Sequence, residues 1–158
     1  MAAVSAMGVA GASAAPSAHA LSIRFHAHFV ATETMTPDLT CGGFRVGNTG
    51  SGAATALGMV SWRATSCADL LAEPGRLRAR DGRAVISDSH GDSLRVSYEG
   101  RGDLPDLAGN VHVSGPFTIT GGSGRLSGAT GGGTVTGDGN IHQSDATVDV
   151  VGVLSFPP

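Results

Sequence analysis

The chain has 158 residues, a formal net charge of −3 and only 15% charged residues. That length suits one domain with a modest core, and the weak negative balance leaves no broad basic footprint for nucleic acid or anionic lipid. All ten basic residues are arginine, which excludes a Schiff-base lysine, a P-loop lysine and a Ser–Lys dyad.

Residues 2–18 are small, mostly apolar and uncharged, and Ala18-His19-Ala20 fits an A-x-A cleavage site. Residues 1–20 therefore resemble a secretory signal without a basic n-region. The segment is too short and too weakly hydrophobic for a membrane span, and no later stretch offers one. The expectation is a secreted or periplasmic protein whose single domain covers residues 21–158. Cys41 and Cys67, the only cysteines, are too far apart for a C-x-x-C redox or zinc motif. In an exported chain they most simply form one disulfide.

Residues 21–31 alternate, with Leu21, Ile23, Phe25, Ala27 and Phe29 on one face and Ser22, Arg24, His26 and His28 on the other. This predicts a half-buried strand, followed by a polar loop. Residues 44–46 read as a short strand, and residues 53–66 as one or two. Residues 68–71, before Glu73-Pro74, allow a helical turn. An arginine-rich stretch at 76–83 carries an Asp81-Gly82 turn signal. Residues 84–88 and 93–99 form two strands around the turn Asp88-Ser-His-Gly-Asp92. In the second, Leu94, Val96 and Tyr98 face one way, Arg95, Ser97 and Glu99 the other. Residues 100–110 read as a loop and 111–120 as a strand whose Pro116 suggests an edge or a bulge. Residues 121–133 read as a glycine-rich crossing, 134–136 as a short strand, 137–140 as a turn and 146–156 as a final apolar strand. About eight strands and no real helix predict an all-β antiparallel barrel or, alternatively, a β-sandwich. Pairing of the last strand with the first would close a barrel and remove exposed edges.

Several chemistries can be weighed on these residues. Gly121 to Gly133 suggests a phosphate loop, yet there is no Walker lysine, and the third glycine of G-x-G-x-x-G falls one position late, at Gly128. It also nearly matches the calcium repeat G-G-x-G-x-D, but Leu126 replaces the liganding aspartate. Backbone geometry accounts for the stretch, with Arg125 the one side chain able to reach a carboxylate or ligand. His26 and His28 are spaced to project from one strand face and to offer two metal ligands. Nothing local fixes a third, and a solvent-facing pair needs no ion, so no metal and no cofactor are expected. Asp88 to Asp92 reads as a turn held by side-chain-to-backbone bonds. No G-x-S-x-G is present. Arg101-Gly-Asp103 spells an adhesion tripeptide at a length that arises by chance.

Residues 117–132, Phe-Thr-Ile-Thr-Gly-Gly-Ser-Gly-Arg-Leu-Ser-Gly-Ala-Thr-Gly-Gly, resemble a segment of small secreted bacterial β-barrel proteins related to the allene oxide cyclase and dirigent barrels. In those proteins a strand leads to a Gly-Gly-Thr-Gly-Arg-Phe-type turn, then Gly-Ala-Thr-Gly and the next strand. Gly91-Asp92-Ser-Leu is similar to their preceding hairpin. The resemblance covers about the last seventy residues and implies an eight-stranded antiparallel barrel with an interior cavity, often assembled as homotrimers. The expected role is binding or structural, with a small hydrophobic molecule in the barrel mouth. The competing expectation is a cyclase- or dirigent-like enzyme acting on a hydrophobic intermediate. Arg24, His26, His28, Arg95, Glu99 and Arg125 are the candidate ligand-binding residues; those on strands would serve such an enzyme only if their polar face lines the lumen, and no catalytic residue is assigned.

Overall fold

The computed structural model describes residues 20–158; the signal-like reading of residues 1–20 thus falls, save for Ala20, outside the described residues. Among these residues eight strands form one closed antiparallel barrel in sequential order. They are β1 (Leu21–Asp38), β2 (Gly43–Ala54), β3 (Gly58–Asp69), β4 (Arg76–Asp88), β5 (Ser93–Asp103), β6 (Asn110–Ser123), β7 (Thr130–Asn140) and β8 (Asp145–Phe156), with 3₁₀ turns at Leu39–Cys41 and Gly124–Leu126. The final strand closes on the first, Ile23 opposite Leu154 and Ala27 opposite Val150. The sandwich alternative is thereby set aside.

Alternation decides which face points inward. Phe25, Ala27, Phe29 and Ala31 are buried, while Arg24, His26, His28 and Val30 between them are exposed. Several strands run further than hydrophobic patterning suggests. The arginine-rich stretch opens β4, residues 100–103 extend β5, and both the Gly131-Gly-Gly133 run and residues 137–140 belong to β7. Residues 70–75 are bends and turns without a helix. Pro116 is on no edge; it faces Thr134 inside the closed barrel and lies between the paired residues Ser114 and Phe117 of the β5–β6 ladder, where its missing N–H is harmless.

A size rule runs across the strands. Phe25 opposes Gly152, Phe29 opposes Gly52, Trp62 opposes Gly50, Tyr98 opposes Gly82 and Phe117 opposes Gly133. Each inward ring lies beside a residue with no side chain, so it does not have to compete for lumen space. At Gly82 an added Cβ would come within 2.6 Å of the Tyr98 ring, and at Gly133 it would run into the Val151 carbonyl oxygen.

The strands' antiparallel order sends alternate connections to opposite ends. At one end the lumen is packed solid by Phe25, Ile86, Leu94 and Leu154, all fully buried, with Leu126 and Ile119. The other end, where the 3₁₀ turn Leu39–Cys41 and the connections 70–75, 104–109 and 141–144 emerge, is hollow. A disulfide between Cys41 and Cys67 spans 26 positions at this hollow end. Arg80 ties the same region together, its Nε donating to Asp69 Oδ2 (2.9 Å) and its Nη2 to the Thr40 carbonyl (2.9 Å).

Candidate binding site

The hollow has a volume of about 840 Å³, within the usual range for a small-molecule site. Its wall is mainly aliphatic, from Val46, Val113, Val135 and Val148 with small Ala68 and Ala146. Its inner limit is aromatic. Trp62 and Tyr98 line it, their ring centroids 6.2 Å apart, and Phe29 packs behind Trp62 at 5.1 Å. Beside this layer stands a small polar group. Glu33 faces Asn48 across β1 and β2, and the Asn48 amide donates to Glu33 Oε2 at 3.4 Å. Ser66 of β3 borders the same space.

This polar group is incompletely satisfied. Asn48 Oδ1 and Trp62 Nε1 are buried without a hydrogen-bond partner, a costly state for groups shielded from water. Burial pushes the Glu33 carboxyl above the usual glutamate range, and the Asn48 bond offsets only part of it. Burial likewise raises the Tyr98 phenol; the neighbouring Ser66 hydroxyl opposes this and the charge of Glu33 adds to it. A neutral carboxyl donates as well as accepts, so Glu33 can serve as acid or base in this space.

Leu104, Leu107 and Ile141 carry the apolar lining out to the rim. Leu107, with Leu39 and Leu71 on two other connections at this end, stands exposed to solvent. A guest of low water solubility therefore meets apolar surface before it meets the lumen.

Of the residues singled out in the sequence only Glu99 borders the hollow; the others are placed elsewhere. Arg24, His26, His28 and Arg95 lie on the outer surface, exposed, so the condition that their polar face line the lumen is not met. His28 Nδ1 and His26 Nε2 lie 3.0 and 3.3 Å from one oxygen of Asp149. Asp149 is held below its usual range: partial desolvation opposes this, but the bonds to His28 and His26 prevail. Among the described residues no group of three or more histidine, cysteine or carboxylate side chains is arranged to hold a metal ion. Glu99 is exposed, pairs with Arg78 at 3.4 Å rather than with Arg95, and borders the hollow.

Arg125 closes the packed end. Its Nη2 donates to Asp88 Oδ2 at 2.8 Å, and its Nε and backbone N–H donate to the two oxygens of Asp92. Asp88 Oδ1 accepts the backbone N–H groups of His90 (2.8 Å) and Asp92 (3.0 Å). Although desolvation pushes the other way, these N–H groups and the Arg125 charge hold Asp88 below its usual range. The glycine-rich segment thus locks the 88–92 turn, with its arginine occupied by the protein itself.

Glu33, Asn48, Trp62, Ser66 and Tyr98, the residues that shape the hollow's polar side, come from four strands. One signal for them is present in the sequence. The apolar phase Phe25, Ala27, Phe29, Ala31 continues by one step to Glu33, and Leu94, Val96 continues to Tyr98. A polar residue in an apolar phase marks a buried polar group. Among the described residues no helix is long and apolar enough to cross a membrane. No protein-family model and no curated protein matches the chain.

Proposed function

We propose that the protein is exported and binds a small apolar ligand in the hollow end of its barrel. The observation that carries this reading is the asymmetric lumen: one end filled, the other enclosing about 840 Å³ behind aliphatic walls. The Cys41–Cys67 bond supports an oxidising compartment, secreted or periplasmic. The likeness of residues 117–132 to the allene oxide cyclase and dirigent barrels, together with the closed eight-stranded topology, supports kinship with them. Homotrimer assembly belongs to the same reading. Exposed Val151 and Val153 on the outer surface of β8 offer a small apolar strip for it, and native mass spectrometry reads the mass directly.

Trp62 is the only tryptophan and lines the hollow, so its fluorescence reports occupancy. Titration with decanol is expected to give a saturable change that weakens in Ala68→Leu, which narrows the lumen. An emission spectrum indifferent to decanol in the native chain would overturn the reading. The second reading is a cyclase- or dirigent-like enzyme acting on a hydrophobic intermediate. Its support is the raised Glu33 carboxyl beside Tyr98 in the hollow, an arrangement suited to proton transfer in a water-poor site.

A further inference from the structure

We propose that the hollow selects apolar ligands whose head is a protonated amine over matching ligands with a hydroxyl or a carboxylate head, with Glu33 supplying the counter-charge. This rests on the hollow being a binding site. Four carboxylates border it, Glu33, Glu99, Asp106 and Asp138, and none of the chain's ten arginines does. Three of the four are already occupied. Asp138 lies 2.6 Å from His112 Nδ1, and Glu99 pairs with Arg78. Asp106 accepts the backbone N–H groups of Ala108 (2.9 Å) and Asn110 (2.8 Å). Glu33 has only the neutral Asn48 amide, at 3.4 Å.

Most of the surrounding chemistry points the same way, the buried Trp62 Nε1 donor being the one group that an ammonium leaves unmet. Asn48 Oδ1 is buried and lacks a donor, and an ammonium carries three. The Trp62 and Tyr98 rings border the same space, and ring faces attract cations, more strongly where water is scarce. An ammonium would bring the missing positive charge and form a charge-assisted bond to Glu33. A carboxylate head would place a second negative charge beside Glu33 with no arginine to offset it, which burial makes costly. A hydroxyl satisfies one donor or acceptor and leaves the charge unmet.

Binding of decylamine, decanol and decanoate, each below its aggregation threshold, tests this by calorimetry and by Trp62 fluorescence. At neutral pH decylamine is expected to bind on the order of tenfold tighter than decanol, a difference of about 1.4 kcal/mol, with decanoate weakest. Glu33→Gln should remove the amine's advantage, read as the ratio of decylamine to decanol affinity in the same variant, with decanol binding itself showing that the hollow is intact. In the native chain the advantage should also shrink as pH falls and Glu33 takes up its proton. Tyr98, Glu99, Asp106, Asp138 and His142 border the same space, and the pH dependence that survives Glu33→Gln is theirs. Decanol binding with no amine advantage, or an advantage that survives Glu33→Gln, overturns the selectivity alone. Failure of all three probes overturns the binding site and the selectivity together.

Discussion

The two ends of the barrel are made by the same strands, paired in the same order, yet one is solid and the other hollow. At the packed end the inward positions hold Phe25, Ile86, Leu94 and Leu154. At the hollow end they hold Ala68, Ala79, Gly100, Gly137 and Ala146. The backbone scaffold is shared, so the space is a property of side-chain size at those positions. The ends also differ in how their polar groups are treated. Asp88, at the packed end, receives two N–H groups and an arginine. Glu33, at the hollow end, receives one long bond from an amide. A fold that satisfies one carboxyl so fully leaves the other wanting a partner.

Breaking the packed end should cost most. Phe25→Ala, which empties a fully buried ring position, is expected to destabilise by about 3–5 kcal/mol, read from denaturant unfolding. Removing the disulfide at the hollow end by Cys41→Ser with Cys67→Ser is expected to cost roughly 3–4 kcal/mol on the chain-entropy model. Thermal unfolding with and without reductant checks it, and mass analysis confirms the bond. Filling the hollow should do the reverse: Ala68→Leu is expected to stabilise by about 0.5–2 kcal/mol while weakening guest binding. Equal losses from truncations at both ends would dissolve the contrast.

The subtlest difference is in pH. Glu33 titrates above its unfolded value, so its contribution to stability is present below the usual glutamate range and is lost as pH rises through the raised pKa. Asp88 titrates below its unfolded value, so its contribution is present above the usual aspartate range and is lost as pH falls through the lowered pKa. Stability measured against pH in Glu33→Gln and Asp88→Asn should therefore flatten opposite sides of the profile. Flattening on the same side would break the comparison.

Much of the barrel was legible because period-2 alternation survives in β1, β5 and β8, where inward residues are large and apolar. The strand ends were not. Gly131 to Gly133 and residues 137–140 read as turns, since glycine usually marks one, whereas here glycine lines a lumen opposite Phe117 and Val148 or extends its wall. That distinction depends on the cross-strand partner, which only register supplies. The site was less legible for the same reason. Glu33, Asn48 and Tyr98 are distant in sequence, and pairing, not spacing, assembles them. Arg125 is legible in the sequence as a side chain with the reach to meet a carboxylate; that it bonds Asp88 and Asp92 of the neighbouring hairpin follows from the fold alone.

The packed end also gives the barrel a single door. Any guest must leave by the rim through which it arrived, past Leu107 and Ile141. A change at that rim alters the height of one shared barrier, so it scales association and dissociation together and leaves the equilibrium untouched. A change at Glu33, Asn48 or Trp62 alters the depth of the well behind it and shows chiefly in the dissociation rate. Residence time can therefore be tuned at the rim while affinity stays fixed, whereas a change in the well moves the two together.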